Sequence, residues 1–207
     1  MAPKIVDKEA KRADITLAAA DVFAEKGFAG ASVDDIARAA GVSKGSLYGY
    51  FKNKEDIFYA TFEAYQTELI GQCEQAMAAE SSMQGKLTAC LMVTVVSLEQ
   101  HIVLFPLTME LWAAASSGPA RDRFSQIMAR LYQEFRAMTA GLIEAGKASG
   151  EFRQDADANA VAVWLVGGLD GLMLQFWFDR SLDVKQLTEH FLAMVLRGIG
   201  RDTQEQS

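Results

Sequence analysis

The chain has 207 residues, half of them hydrophobic, and a formal charge of -7. That length and apolar fraction exclude a disordered chain and allow one large domain, or a small one joined to a medium one. Only 3 prolines interrupt it, and Ala, Leu, Met, Glu and Gln dominate over alternating apolar and polar runs, which predicts an all-α fold.

Asp7 is placed to cap a first helix running to about Lys26, with Ile15, Ala19, Val22 and Phe23 on one face, and Gly27 stops it. Ser32 caps a short second helix in which Val33, Ile36, Ala37 and Ala40 point inward, and Asp34 and Asp35 suit the positive end of its dipole. Gly41 breaks it. Ser43 caps a third helix of roughly two turns ending near Phe51, and Asn53 caps a fourth that opens on Glu55 and Asp56 and continues to about Ala79. Further helices are expected near 83–100, 102–116, 120–147, 157–179 and 184–200, separated by "SSGP" at 116–119, "GEFRQDAD" at 150–157 and "DRSLD" at 179–183. No repeat, low-complexity segment or flexible linker intervenes. The fourth helix therefore joins two parts, 1–53 and 54–207.

Charge divides the same way. Residues 1–54 hold 9 Lys/Arg against 7 Asp/Glu, a net +2, whereas residues 55–207 hold 11 against 20, a net -9. The acidity of the whole thus leaves a nucleic-acid partner open to the first part.

A short helix, a turn at Gly41 and a second helix from a serine cap make a helix-turn-helix, whose second helix enters the DNA major groove. Helical spacing turns Val42, Leu47 and Phe51 inward and leaves Lys44, Gly45, Ser46, Tyr48, Gly49 and Tyr50 outward or at the rim. A phenol offers an O–H to phosphate and a flat ring to sugar or a thymine methyl, while Lys44, Lys52 and Lys54 offer charge to the backbone. Gly45 and Gly49 allow close approach to a duplex, each at up to ~1 kcal/mol of helix stability. The plainer alternative has both tyrosines packing on the next helix and the lysines solvated.

Residues 12–59, "RADITLAAADVFAEKGFAGASVDDIARAAGVSKGSLYGYFKNKEDIFYA", resemble the N-terminal domain of the TetR family of bacterial transcriptional regulators. The "AA..VF.EKGF" first helix, Ser32 followed by Ile36-Ala37, "AGVSKGSLY", the "YF" pair and Lys54 at the fourth helix agree in order and spacing. The resemblance implies three DNA-binding helices, about six more in an effector-binding and dimerisation domain, and a four-helix bundle between subunits built from the last two helices of each. By that analogy Ser46, Tyr48, Tyr50 and Lys54 fall on positions that touch phosphate, and Lys44 and Gly45 lie at the base-reading end beside Ser43. Gly49 departs from the many members that carry a base-reaching side chain there. Readout then falls on Lys44, Ser46, the Tyr48 ring, Ser32 and Val33 of the second helix, or on DNA shape.

In the second part, residues 160–178 approach the length of a membrane span, but Asp170 and Gln175 interrupt them and Trp164 lies well inside. A helix apolar all round is more simply buried between helices or between subunits. Gly167 and Gly171, amid Leu172 and Phe176, suit a packed dimer face completed by Phe191, Met194 and Val195, or else an internal core helix. His101, Phe105, Met109 and Trp112 recur on one face, as core or as the wall of an effector pocket. The family resemblance places its ligand cavity among these middle helices, with Met128, Tyr132 and Phe135 opposite and Trp164 near the rear. Met and aromatic rings suit a mostly apolar ligand. Asp170, if buried, needs a partner: an arginine across the dimer, a cationic ligand or water.

"GLIEAGKA" at 141–148 has Ala148 where a phosphate-binding loop needs Ser or Thr, and it ends a long helix instead of following a strand. GxSxG, HExxH and CxxC patterns are missing, and His101 and His190 have no sequence-near partners, so neither an enzyme nor a metal or cofactor is implied. Cys73 and Cys90 read as buried small hydrophobes in a reducing cytoplasm. The expectation is a cytoplasmic, homodimeric repressor that binds palindromic operator DNA and is released by a small, mostly apolar effector. The alternative is an α-helical ligand-binding or adaptor dimer that does not bind DNA.

Overall fold

The computed structural model describes residues 8–116 and 121–201, so the Asp7 cap and most of the 116–119 break lie outside the described residues. In chain order the helices are α1 (Lys8–Gly30), α2 (Val33–Ala39), α3 (Lys44–Leu47), α4 (Lys54–Ala78), α5 (Met83–Gln100), a 3₁₀ turn (Ile102–Leu104), α6 (Phe105–Ser116), α7 (Arg121–Ser149), α8 (Ala158–Phe178) and α9 (Val184–Ile199). The all-α fold and the helix boundaries from α4 onward agree with the sequence pattern to within a few residues.

Two differences arise near the N-terminus. Gly27 does break α1, with φ 69° and ψ 169°, a conformation open essentially to glycine alone, but one more helical turn follows it to Gly30. The third helix keeps α geometry only for Lys44–Leu47 and then tightens, with Gly49 N–H donating to Ser46 O at 3.0 Å and Tyr50 N–H to Leu47 O at 3.0 Å. Glycines at 45 and 49 deprive so short a helix of propensity, and 3₁₀ turns commonly finish such ends.

Packing separates the chain within α4. One compact unit contains α1–α3, α4 through Glu68, and Val103–Leu111; the other contains Leu69–Ile102 and the chain from Trp112. In the first unit Ile15, Phe23, Ile36, Leu47 and Ile57 are fully buried. Phe23, Phe28 and Phe58 form an aromatic cluster, with Phe23 and Phe58 edge to face at 5.2 Å between centroids. Arg12 lies 4.7 Å over the Phe51 ring and fixes the end of the third helix against α1.

In the second unit α5 packs against α7, α8 and α9 around Leu87, Leu91, Ile143, Phe152, Leu165 and Leu192. Side-chain caps start its helices: Ser82 on Gly85 N–H at 2.9 Å, Asp157 on Ala160 N–H at 3.0 Å and Asp183 on Gln186 N–H at 3.0 Å. The Glu151 carboxylate also accepts from Met83 and Gln84 N–H at 2.9 and 3.1 Å, tying the loop after α7 to the start of α5. Although α8 has the length and mean hydropathy, 1.5, of a membrane span, Ala162, Leu165, Met173 and Phe176 on one side pack into this core.

The phosphate-loop look-alike has a packing explanation. Residues 141–148 lie inside α7, and Gly146 faces the buried Phe152 ring while its carbonyl accepts from Glu151 and Phe152 N–H at 2.9 and 3.0 Å. A β-carbon at 146 would collide with that ring, whereas one at Gly141 would meet nothing. Gly146→Ala should therefore destabilise the fold by about 1–3 kcal/mol in chemical unfolding, while Gly141→Ala should be neutral or stabilise by up to ~1 kcal/mol. Equal midpoints would show that the ring does not need the glycine.

The N–H groups of Met83 and then Gln84 hold the Glu151 carboxyl below its ordinary pKa. A depressed folded pKa contributes stability above the unfolded value, about 4.3, that is lost as pH falls through the folded one. Glu151→Gln should flatten the acid side of the stability profile below pH ~5. A profile unchanged by the substitution would exclude the cap as a source of acid sensitivity.

Candidate nucleic-acid interface and effector region

The helix-turn-helix is set by its caps. Ser32 Oγ accepts from Asp35 N–H at 3.1 Å, and the Asp35 carboxylate accepts in return from Ser32 N–H at 3.1 Å and Ser32 O–H at 2.6 Å. Lys26 of α1 reaches the same carboxylate at 2.8 Å, and Lys26 and then Ser32 hold Asp35 far below the usual carboxylate range. Gly41, at φ 63°, makes the turn, and Ser43 Oγ accepts from Ser46 N–H at 3.1 Å to start α3.

Outside that frame the expected face is open. Ser32, Ser43, Lys44, Gly45, Ser46, Gly49 and Lys52 are exposed, Tyr48 retains 49% of its surface, and Val33 and Tyr50 are half-buried, while Leu47 and Phe51 are inside. All ten expected contact residues, Lys54 included, thus keep some exposed surface. A side chain at Gly45 would meet nothing within the chain.

Two lysines are already engaged. Lys44 Nζ pairs with Asp34 Oδ2 at 2.8 Å, and this bond, then the Asp34 charge, raises the lysine pKa. Both partners are exposed, a setting in which solvent screens the pair and leaves it weak, so the ammonium is readily released to another acceptor. Helical spacing showed Asp34 only as a helix-start acid; its neighbour on α3 comes from the turn geometry. Lys54 Nζ donates to Phe28 O at 2.7 Å and Ala31 O at 3.0 Å and lies 4.4 Å over the Phe28 ring. The charge expected on phosphate thus has a structural task, with two of its three N–H groups on the α1–α2 connection. From the other side of that connection Glu110 of α6 accepts from Phe28 N–H at 3.0 Å, within the same unit.

The expected pocket residues are divided. Phe105, buried, and Met109 belong to the first unit; His101, Trp112, Met128, Tyr132, Phe135 and Trp164 belong to the second. His101 closes α5, its Nδ1 2.8 Å from Ser97 O. The second unit does join Tyr132 to Trp112 and to Asp170: Tyr132 O–H donates to Asp170 Oδ2 at 2.8 Å, and the Trp112 indole N–H bonds the phenol. Burial raises the Asp170 pKa against the lowering by Tyr132, and burial followed by the Asp170 bond raises that of Tyr132. Asp170, whose partner the sequence left open, is therefore held within its own chain.

A pocket of 440 Å³ lies elsewhere, between α4 and α5, lined by Gln72, Gln75, Ala76, Met92, Val93, Val96, Ser97 and Gln100. None of the expected pocket residues lines it. Its apolar floor and neutral amide rim suit an apolar molecule with a few hydrogen-bonding groups.

Around α8 the assignments shift. Trp164, expected at the rear of a pocket, is 77% exposed, and Phe178 is 80% exposed. Phe176, expected at a dimer face, is buried in the chain's own core with Arg180 4.9 Å over its ring. Gly167 and Phe191 are exposed, Met194 is 55% exposed, and Gly171, Leu172 and Val195 are half-buried. A helix apolar on every side has no polar stripe to orient its faces, which is why the pattern placed Trp164 and Phe176 on the wrong sides of it.

Residues 15–61 match the family model described as bacterial regulatory proteins, tetR family, and residues 86–199 match the BetI-type transcriptional repressor, C-terminal model. The HTH-type transcriptional repressor KstR2 of Mycolicibacterium smegmatis is 30% identical over 200 residues, covering 96% of both chains. The fatty acid metabolism regulator protein of Bacillus subtilis is 26% identical over 199 residues, 93% of this chain and 97% of that protein. Among solved structures, the transcriptional regulator FadR from Bacillus subtilis in complex with stearoyl-CoA aligns with a TM-score of 0.76 at 25% identity, covering 90% and 98% of the two chains. The ketosteroid transcriptional regulator KstR2 of Mycobacterium tuberculosis aligns with a TM-score of 0.65 at 27% identity, covering 92% and 95%.

Lys54→Ala should lower stability by about 1–3 kcal/mol without any DNA present, because it strips two carbonyls of a charged donor. Lys52→Ala, an exposed site, should leave stability within ~0.5 kcal/mol. Thermal unfolding of both variants checks the contrast, and coincident curves would return Lys54 to a purely surface role.

Proposed function

Because this chain belongs to the TetR family of bacterial regulatory proteins, we propose that it is a transcriptional repressor that binds palindromic operator DNA as a homodimer and leaves it when a small, mostly apolar effector binds. The observation that carries the reading is the open face of Lys44, Gly45, Ser46 and Tyr48 on a helix that Ser43 caps and that packs against α2. Phosphate receives Tyr48, Tyr50, Ser46 and Lys52, and base edges receive Lys44 and the second-helix residues Ser32 and Val33.

Dimerisation is supported by the open face of α8 and α9. Trp164, Phe178, Leu187, Phe191 and Met194 are exposed large hydrophobics, and β-carbons at Gly167, Gly168, Gly171 and Gly198 would meet nothing within the chain. A second copy covering this face buries the apolar side chains and lets helix backbones approach closely at the glycines. Two helix-turn-helix units then address half-sites ~34–36 Å apart.

The effector is read from chemistry. KstR2 of Mycobacterium tuberculosis is a ketosteroid transcriptional regulator, and FadR of Bacillus subtilis is solved in complex with stearoyl-CoA, which carries a long apolar acyl chain. Here the α4–α5 pocket and the Trp112–Tyr132–Asp170 group offer apolar walls with a few polar points. Helices α4 and α6 each contribute residues to both units, so they are the routes by which occupancy changes the DNA-binding unit. A switch from 1:99 to 99:1 requires ~5.5 kcal/mol of preference for the non-binding form.

The test is binding of the purified protein to its own upstream DNA across a salt series. Steeply salt-dependent binding that saturates at two chains, or a multiple, per site is expected, with Tyr48→Phe weakening all sequences alike and Lys52→Ala lowering the salt slope by about one. Failure to bind there and in a pool of random duplexes would overturn the repressor reading and leave an effector-binding protein without DNA.

A further inference from the structure

Cys73 and Cys90 have no close spacing in the sequence, yet the fold sets them side by side where α4 and α5 meet. Both are free and buried. Cys73 Sγ lies 3.6 Å from the Cys90 carbonyl oxygen and 3.5 Å from Thr94 Oγ1, so its thiol sits against the Cys90 turn of α5. Burial of each is explained by small size and low polarity. Their mutual contact is a second fact, and it has a chemical consequence.

We propose that Cys73 and Cys90 form a two-electron redox site that closes into a reversible disulfide linking α4 to α5. A disulfide needs an S–S distance of ~2.05 Å and β-carbons ~3.5–4.5 Å apart, and with Cys73 Sγ already 3.6 Å from the Cys90 main chain that is reached by side-chain rotation and a helix shift. The bond has a direction. The Cys90 side chain lowers the Cys73 pKa against the opposing effect of burial, and the Cys73 side chain followed by burial raises that of Cys90, beside the Cys73 S–H that donates to the Cys90 carbonyl. Cys73 is therefore the attacking sulfur and Cys90 the resolving one.

With a peroxide as oxidant the electrons balance. The Cys73 thiolate attacks one peroxide oxygen, the O–O bond breaks, and sulfenic acid and hydroxide form. Cys90 then attacks the sulfenic sulfur as its proton goes to the departing oxygen; the S–S bond forms and water leaves. Two thiols have reduced one peroxide to two waters. The α4–α5 pocket lies on the same two helices, but neither sulfur is among its lining residues and both are buried. Because both sulfurs are buried, reaction waits on side-chain motion at that wall and is slower than for an exposed thiol. The product fixes α4 against α5 beside the pocket they line, which gives the effector region an oxidative input.

Full-length protein is treated with hydrogen peroxide and measured by intact mass, by thiol titration in denaturant and by peptide mapping. The expected result is loss of two hydrogen atoms, a fall from two titratable thiols to none and a Cys73–Cys90 cross-linked peptide, all reversed by dithiothreitol. Cys90→Ser should stop at a Cys73 sulfenic acid trapped by dimedone. Two intact thiols after exposure that fully oxidises free glutathione would overturn the proposal, as would a disulfide only between chains or over-oxidation without the internal cross-link. The wild-type reading stands even if a variant fails to fold.

Discussion

Helices of seven and four residues have too few internal hydrogen bonds to keep a shape in water, so α2 and α3 can present a surface only if something else holds them. Helix α2 packs on α1 and α3 on α2, and the cluster of Phe23, Phe28 and Phe58 ties α1 to α4 beside them. Around it the polar connections are specific: Lys26 on Asp35, Lys54 on the Phe28 and Ala31 carbonyls, and Glu110 on the Phe28 N–H. Phe28 is therefore held through its ring, its carbonyl and its amide at once, just past the glycine that breaks α1. The open face beyond α3 has this fixed point as its foundation.

The same residue also ties α6 to the first unit. Glu110 completes the support of Phe28 there, and Trp112, two positions later on the same helix, bonds Tyr132 in the second unit, where Tyr132 in turn holds Asp170. Hydrogen bonds in such a chain reinforce one another, so the three side chains are fixed as a group.

Much of the fold could be read in the sequence because its signals are local. Serine and aspartate caps at Ser32, Ser43, Asp157 and Asp183, glycine breaks at 27 and 41, and the inward rows at Ile36, Leu47 and Phe51 each act within a turn or two, and the helices formed where those signals lie. What stayed hidden depends on neighbours distant in sequence. Asp34 meeting Lys44 depends on the turn angle, Lys54 bonding two carbonyls depends on the α1–α2 path, and Cys73 touching Cys90 depends on how two helices cross. The faces of α8 were obscured for a different reason, since a helix apolar on all sides carries no amphipathic signal.

Lys54 has a consequence for how such a protein can diverge. A cation committed to main-chain carbonyls bonds groups that every amino-acid sequence possesses, so its usefulness does not depend on which bases lie in the groove. Lys44, Ser46 and the open position at Gly45, by contrast, make few side-chain bonds that the scaffold needs. Outward side chains at these positions can therefore be exchanged while the framework beneath them is inherited unchanged.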